Sequence, residues 1–242
     1  MSTGLLLDDD FCDHDPGDHH PEAPGRIVAI MKSLTASGLD QKCSAIAERE
    51  VTDDEIRLAH TDGYLKKVLA EIDGSGSGQL STGDTQYGPH SLRVARHAVG
   101  GLLNAVDGVI AETFLNAFCA VRPPGHHATP DRGMGFCIFN NAAIAARYAQ
   151  QKHGLERIAI IDWDVHHGNG TQDIFHFSLF RRMGAALRLR KCARSLLHIP
   201  HDFIGCFRQK LWMPLHAQQK LVFIFACGVG FNCLDKMQFI AI

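Results

Sequence analysis

The sequence predicts an α/β fold in which a parallel sheet is flanked by helices. Three observations predict it: short apolar strands, amphipathic helices between them, and polar clusters placed directly after two of the strands. Helices cover both faces of a parallel sheet, so its strands are apolar throughout rather than alternating. In sheets of this kind, ligand sites gather in the loops at the carboxyl ends of the strands.

Apolar spacing and capping residues place the individual elements. Residues 22–37 have apolar side chains at i, i+3, i+4 and i+7, and Gly38 is suited to end that helix. Thr52 stands three residues before Glu55, which is the spacing of a capping box at the start of a short helix. The other predicted elements are strands at residues 4–7, 117–121 and 158–161 and helices at residues 61–72, 91–110 and 140–153.

Composition excludes several classes of function. A formal net charge of −2 and a pI near 6.7 supply no overall positive field that would hold nucleic acid by its phosphates. The eight cysteines form no CxxC pair, no leader is recognisable, and the most apolar run, residues 221–231, is too short to span a bilayer. We therefore expect an intracellular protein with reduced thiols, nuclear or cytoplasmic, whose body binds neither membranes nor nucleic acid.

The balance of charge changes near residue 176. From Phe177 onward there are ten Lys or Arg residues and two acids; subtracted from the totals of 24 and 26, these leave 14 basic and 24 acidic residues before that point. Four of the eight cysteines also follow residue 176. We therefore predict a folded body over residues 1–176 and a divergent basic tail over residues 177–242 that is not part of the same fold.

The first polar cluster follows the strand at residues 117–121 and reads Arg-Pro-Pro-Gly-His-His-Ala over residues 122–128. Two prolines restrict the backbone, so that His126 and His127 can be held in a fixed pose. Imidazoles with pKa values near ~6.5 can divide the roles of general base and general acid near neutral pH. A surface pair of histidines in a proline turn is the alternative interpretation.

The second polar cluster begins where the strand at residues 158–161 ends. In extended backbone, alternate side chains point to the same side, which would place Asp162, Asp164 and His166 on one face. Carboxylate oxygens and imidazole nitrogens are ligands of zinc, and a catalytic zinc ion has three protein ligands. This strand end can supply two of them, and the third must come from elsewhere. An acidic cap of the strand without a metal is the alternative.

A third segment, residues 133–141, combines glycines with apolar side chains. Glycine permits close approach of the backbone, and Phe136 beside Gly135 can form one wall of a narrow apolar slot. On its own, a buried Phe beside a glycine indicates only a core. Its position between the two polar clusters favours the slot.

Together, residues 122–127, 135–141 and 162–170 resemble the signature blocks of the histone deacetylase family, which includes class II histone deacetylases and acetylpolyamine amidohydrolases. The segment from His20 to Arg26 also resembles that family's opening block, HPExPxR. The resemblance runs from about residue 4 to residue 175, and the combination of blocks is specific. It implies the arginase/deacetylase-like fold, with residues 1–176 as the N-terminal portion of the catalytic domain and the C-terminal part of the fold missing or replaced.

The resemblance implies a role for each matched residue. His126 and His127 match the tandem histidines that face the attacking water and the scissile amide. Asp164 and His166 match two zinc ligands. Asn169 stands where some classes have Asp, which favours the class II-like branch. The remaining matches are Asp162 and Asn169 as partners that orient His126 and His127, Gly135 and Phe136 as one wall of the acyl-lysine tunnel, and Asp84 as a rim residue that holds the substrate backbone.

The implied reaction is the hydrolysis of an acetyl amide, with zinc as the cofactor and a structural K⁺ as a further family feature. Zinc polarises the carbonyl and lowers the pKa of a bound water to about 7, and histidines accept the water's proton and protonate the departing amine. The implied substrates are an acetylated histone, another acetylated protein or an acetylated amine. Corepressor-type proteins are candidate partners, and the resemblance implies a function in chromatin and transcription regulation.

The sequence departs from the family pattern after about His176. The family's later blocks supply an Asp as the third zinc ligand and a Tyr that stabilises the oxyanion, and neither block is found here. Asp202 and Asp235 lack the surrounding family sequence. A frameshift, a misassembled exon or a divergent extension would explain the tail, and residues 181–194 are alternatively a patch for nucleic acid or an acidic partner.

Two functions are therefore open. The first is a zinc-dependent deacetylase, and the second is a catalytically inactive deacetylase remnant that acts, if at all, as a binding protein. A third hypothesis, a two-manganese ureohydrolase of the same general fold, would require a carboxylate two positions after His166, where Gly168 stands.

Overall fold

The computed structural model describes residues 2–74, 76–162, 164–182, 222–226 and 238–241, with side chains up to residue 176. Its helices are α1 (Gly25–Ser37), α2 (Asp53–Ile56), α3 (Asp62–Glu71), α4 (Ser91–Ile110), α5 (Asn141–His153) and α6 (Asn169–Arg182). Its strands are β1 (Thr3–Leu6), β2 (Ser44–Ala45), β3 (Gly78–Gln79), β4 (Gln86–Tyr87), β5 (Asn116–Cys119), β6 (Ile158–Asp162), β7 (Val222–Ala226) and β8 (Gln238–Ala241). Single turns of 3₁₀ helix occupy Asp9–Cys12 and Asp40–Lys42.

The central sheet has the strand order β2-β1-β5-β8-β7-β6. Strands β2, β1 and β5 are parallel to one another, as are β7 and β6, which confirms the prediction of a parallel sheet flanked by helices. The exception is β8, which runs antiparallel to both β5 and β7. Only residues 227–237 connect β7 to β8, and so short a connection favours antiparallel neighbours because a parallel crossover needs about a dozen residues or more.

Helix α4 is the main helical support of the sheet, and its bounds are those predicted from the apolar stripe. It contacts β1, β5 and α5, and its core-facing side chains, including Val99, Leu102 and Leu103, are fully buried. A 20-residue helix with one apolar face gains most of its stability from this burial. The sheet that carries the polar clusters therefore lies against a rigid layer.

Capping residues define the ends of the other helices. Thr52 and Glu55 form the predicted capping box at α2. Gly38 and Gly154 follow α1 and α5 with φ of +63° and +67°, left-handed conformations that glycine adopts at little cost. Helix α1 begins three residues later than predicted because Pro24 disfavours helical backbone at the residue before it.

Two of the strands, β7 and β8, belong to the predicted tail and are paired with the body. Helix α6 also crosses residue 176. The proposed boundary at residue 176 stays a prediction. Asp202, Asp235 and residues 183–194 of the predicted basic patch lie outside the described residues. None of the described helices combines the length and the hydrophobicity that a membrane-spanning segment requires.

Candidate active site

The loop of the tandem histidines leaves β5 and is anchored at its first residue by a buried ion pair. The Arg122 guanidinium donates to both carboxylate oxygens of Glu22, over 2.6 and 2.7 Å, and to the carbonyls of Phe11 and His14 over 2.8 and 2.9 Å. Burial alone would raise the pKa of Glu22, but hydrogen bonds from His14 and Arg122 outweigh it and lower that pKa to about 2. A charged pair therefore ties this loop to the N-terminal segment.

Each of the tandem histidines has one partner, His126 on the last residue of β6 and His127 on the first residue of α6. His126 Nδ1 lies 2.8 Å from Asp162 Oδ2, and His127 Nδ1 lies 2.6 Å from Asn169 Oδ1. Both oxygens accept, so in each neutral ring Nδ1 carries the proton and Nε2 keeps its lone pair. His126 is 2% exposed, and its Nε2 has no hydrogen-bond partner among the described residues.

The protonation of His127 is tuned by its surroundings. Partial burial lowers the pKa of His127, and the nearby rings of His126 and His166 act in the same direction, while the hydrogen bond to Asn169 opposes them. The rings of the two tandem histidines are 4.0 Å apart between centroids. Two charged imidazolium rings at that separation would repel each other. A neutral His127 is consequently available as a proton acceptor near neutral pH.

Asp164 and His166 also contact each other, although not through strand alternation. Strand β6 ends at Asp162, and a bend then brings His166 Nδ1 to 2.9 Å from Asp164 Oδ2. The Asp164 side chain is 2% exposed and that of His166 is 56% exposed. The two facing atoms are a carboxylate oxygen and an imidazole nitrogen, the donor types that zinc prefers. These residues fit two of three zinc ligands, and no third group completes the set within the described residues.

Glycine at position 168 is required by the geometry of the site. A Cβ atom on Gly168 would lie 2.4 Å from Asp162 Oδ2, the oxygen that contacts His126. A side chain there would displace the carboxylate. The two-manganese ureohydrolase hypothesis requires a carboxylate at this position, and the crowding around Gly168 adds a steric argument against it.

The predicted apolar wall lies directly beside the tandem histidines. Gly135 has φ of +58°, and a Cβ atom there would lie 2.3 Å from Cδ2 of His127. The half-buried Phe136 ring meets His20 edge-on at 4.5 Å between centroids. Asp84 Oδ1 accepts a hydrogen bond from the Gly135 amide over 2.6 Å. One oxygen of Asp84 therefore supports the wall, and its function toward substrate stays a prediction.

Sequence reasoning missed the groups that hold these loops from behind. They are Glu22, which pairs with Arg122 from 100 positions away, and His60, whose ring lies against Thr129 and Asn140. Both are almost fully buried. The signal that reveals them is the burial of a charged or imidazole group next to the catalytic loop. Burial of this kind can be seen only in the tertiary structure.

A second group of metal-ligating residues lies outside the predicted site. Within the described part of the chain, it is the only set of three such residues with ligand atoms close together, and it consists of Asp10, Glu48 and His97. His97 Nδ1 is 2.8 Å from Asp10 Oδ2 and 3.2 Å from Glu48 Oε2. Arg93 already pairs with the other oxygen of Asp10. These contacts form a partly buried hydrogen-bonded cluster that joins α4, the first 3₁₀ turn and the segment between β2 and α2.

Comparisons with known proteins confirm the predicted resemblance to the histone deacetylase family. The histone deacetylase domain model matches residues 20–179. The chain is 43% identical over 167 residues to histone deacetylase 6 of Caenorhabditis elegans, covering 66% of this chain and 18% of the relative. It is 40% identical over 179 residues to the polyamine deacetylase HDAC10 of Rattus norvegicus, covering 72% and 29%. A histone deacetylase-like amidohydrolase of Pseudomonas aeruginosa is 40% identical over 157 residues, covering 65% and 41%.

A solved structure extends the likeness to the fold. The crystal structure of the HDA15 HD domain aligns with a TM-score of 0.67 at 36% identity, over 72% of this chain and 51% of that one. The fold and the family match define the class of proteins that contain a histone deacetylase domain. The chain belongs to the histone deacetylase family. It spans less than half the length of each of the three relatives named above.

Proposed function

We propose that this chain is a zinc-dependent deacetylase that hydrolyses the acetyl amide of acetyl-lysine in a histone or another protein. One observation carries the proposal. Two imidazoles, each oriented through Nδ1 by its own acceptor, lie beside the contacting pair Asp164 and His166. Side chains suited to general acid–base catalysis and side chains suited to metal ligation therefore lie together at one edge of the sheet.

The roles of the residues follow from their contacts. His127, whose pKa is lowered by burial, is the general base that accepts the proton of the attacking water at Nε2. His126 faces the anionic Asp162, the better partner for a positively charged ring, and assists in protonating the departing amine. Asp164 and His166 would hold zinc, which when bound polarises the carbonyl and lowers the pKa of water. Gly135 and Phe136 exclude water along the acyl chain.

The wider assignments rest on the family alone. Relatives are named as histone and polyamine deacetylases, so acetylated proteins and acetylated amines are both proposed substrates. We further propose corepressor-type partners, a nuclear or cytoplasmic location, a function in chromatin and transcription regulation, and a structural K⁺.

The second candidate is a catalytically inactive deacetylase remnant that binds partners. The observation that favours it is the exposure to solvent of part of the segment that follows β6. Val165 is 81% exposed, the His166 ring is largely exposed, and among the described residues no third His, Cys, Asp or Glu completes a set of three metal ligands with this pair. Two protein ligands alone would bind zinc weakly. Another chain that supplied the third ligand would restore the first candidate.

Zinc content and turnover distinguish the two candidates. The full chain, loaded with zinc, is assayed on an acetyl-lysine peptide and on an acetylated polyamine. Tight stoichiometric zinc together with hydrolysis that His127→Ala reduces by about 10²–10⁴-fold supports the deacetylase. The matched control His90→Ala, an exposed histidine outside the site, should leave turnover unchanged. Substoichiometric zinc without turnover of either substrate supports the remnant.

A further inference from the structure

A buried histidine outside the predicted site connects the segments around the tandem histidines. His60, between α2 and α3, is 3% exposed. Its Nδ1 lies 2.9 Å from the carbonyl oxygen of Thr129, and its Nε2 lies 2.9 Å from the backbone nitrogen of Asn140. Thr129 is two residues beyond His127, and Asn140 caps α5. One ring therefore bridges the end of the catalytic loop and the start of a helix.

These two contacts require one tautomer of His60. A carbonyl oxygen only accepts and a backbone N–H only donates, so Nδ1 must carry the proton and Nε2 must be bare. A second proton, on Nε2, would face the backbone N–H of Asn140, and two donors would then meet without an acceptor. Burial also lowers the pKa of His60 to about 4, which keeps the ring neutral at physiological pH.

The bridge continues from Asn140 to both catalytic segments. The Asn140 side chain donates to the carbonyl of Ala128 over 3.0 Å and to Thr171 Oγ1 over 3.2 Å. The backbone N–H of Thr171 in turn donates to the carbonyl of His126 over 3.1 Å. The segment that supplies Asn169 and the segment of the tandem histidines are thus attached to one buried network.

The ring of His60 has little freedom to move. It lies 5.3 Å from the Tyr64 ring and 5.7 Å from the Phe139 ring, between centroids. Next to it, the Thr61 amide donates to the carbonyl of Pro130 over 2.7 Å. The turn between α2 and α3 is therefore attached to the catalytic loop at two successive residues.

We propose that His60 is a positioning residue for the tandem histidines, and that its neutral Nδ1–H ring, through Thr129, sets where the His127 ring faces Asn169. His60 touches none of the groups assigned to chemistry and acts through the backbone of the loop. The catalytic meaning of this inference rests on the proposed deacetylase function. The positioning itself is a property of the loop and can be measured without turnover.

Two substitutions separate the two hydrogen bonds of His60. The amide nitrogen of Asn is as many bonds from Cα as Nδ1 of His, so His60→Asn can keep the donor to Thr129. The amide oxygen of Gln is as many bonds away as Nε2, so His60→Gln can keep the acceptor for Asn140. Val68→Ala, a cavity in the buried face of the neighbouring α3, is the matched control for lost stability alone.

The first measurement is a ¹⁵N NMR spectrum of the histidine rings of the full chain. We expect a protonated Nδ1 and a bare Nε2 at His60. We expect the ring signals of His127 to shift in His60→Gln and to stay in place in His60→Asn and Val68→Ala. The opposite tautomer, the opposite order of the two His60 variants, or equal shifts in Val68→Ala would overturn the proposal.

The second measurement is turnover of an acetyl-lysine peptide by the zinc-loaded chain. We expect His60→Gln to lower kcat at least tenfold with KM changed less than twofold, and His60→Asn to lower kcat less than threefold. Equal kcat values in the two variants would overturn the catalytic part of the inference. If the unsubstituted chain shows no turnover, the proposed function fails, and the ring signals still decide whether His60 positions His127.

Discussion

At the scale of single residues, the tandem histidines differ in the charge of their partners. Asp162 offers His126 a carboxylate, whereas Asn169 offers His127 a neutral amide oxygen. A neutral acceptor orients the ring without strongly favouring its charged form, and burial can then keep the pKa of His127 low. The two adjacent imidazoles therefore suit different steps of an acid–base reaction.

Gly168→Ala tests how closely the catalytic segments approach each other. Because the new Cβ atom would lie 2.4 Å from Asp162 Oδ2, the carboxylate must move away from His126. Overpacking of this kind costs about 1–3 kcal/mol in the free energy of unfolding, which urea denaturation measures. The control Gly63→Ala, with nothing within 4 Å of the new Cβ, should leave the midpoint unchanged or raise it. Equal effects of the two substitutions would contradict the close approach.

At the scale of elements, the catalytic loop is held by contacts with segments far away in the sequence. The Glu22–Arg122 pair joins the segment before α1 to the start of the loop after β5. Arg122 is buried with its partner, and its remaining donors are used by backbone carbonyls of the N-terminal segment. Removing one member of such a buried pair lowers the free energy of unfolding more than removing both, because the remaining residue is then a buried charge without a partner.

A double-mutant cycle measures this coupling. Arg122→Met alone should lower the free energy of unfolding by about 3–5 kcal/mol, and the double variant with Glu22→Leu should lose less than the sum of the single losses. The exposed pair of Lys66 and Asp62 is the reference, and Lys66→Met should leave the free energy of unfolding nearly unchanged because solvent screens the pair. Additive losses at Glu22 and Arg122 would show that the two side chains do not act as a pair.

At the scale of the whole molecule, the two polar clusters meet although their strands are not neighbours. Strands β8 and β7 separate β5 from β6. At the usual strand spacing the two strands are about 14 Å apart, yet His126 and Asp162 are in hydrogen-bond contact. The long loop after β5 crosses this distance, and buried groups behind it keep it there. The stability of the site is therefore linked to the stability of the fold.

The fold should lose stability in acid in two successive pH ranges. His60 has a folded-state pKa of about 4 against 6.5 in its ordinary state, so the unfolded chain gains a proton first and stability falls between those values. A shift of this size corresponds to about 3 kcal/mol. Glu22, with its pKa lowered from 4.5 to about 2, contributes stability above pH 4.5 that is lost as the pH falls toward 2.

Urea denaturation at pH 7 and near pH 4 tests the first range. His60→Asn removes the titrating ring and should reduce the loss of unfolding free energy between these pH values by about 3 kcal/mol. His19→Asn, at an exposed position with positive φ that Asn tolerates, should not change the pH dependence. An unchanged pH dependence in His60→Asn would contradict a neutral buried ring.

The sequence by itself determined the features that depend on neighbouring residues. The apolar stripe predicted the bounds of α4, the spacing of Thr52 and Glu55 predicted the capping box, and short motifs predicted the family. Such features arise from contacts within a few positions, so local spacing is enough to reveal them.

Only the tertiary structure decided how distant segments are joined. It paired Glu22 with Arg122, placed His60 against Thr129, used one oxygen of Asp84 to support Gly135, and inserted β8 antiparallel to its neighbours. The physical reason is that a local pattern specifies which face of an element is apolar, but not which distant segment will cover it. Those partners depend on strand order and on the path of the loops, which are properties of the whole chain.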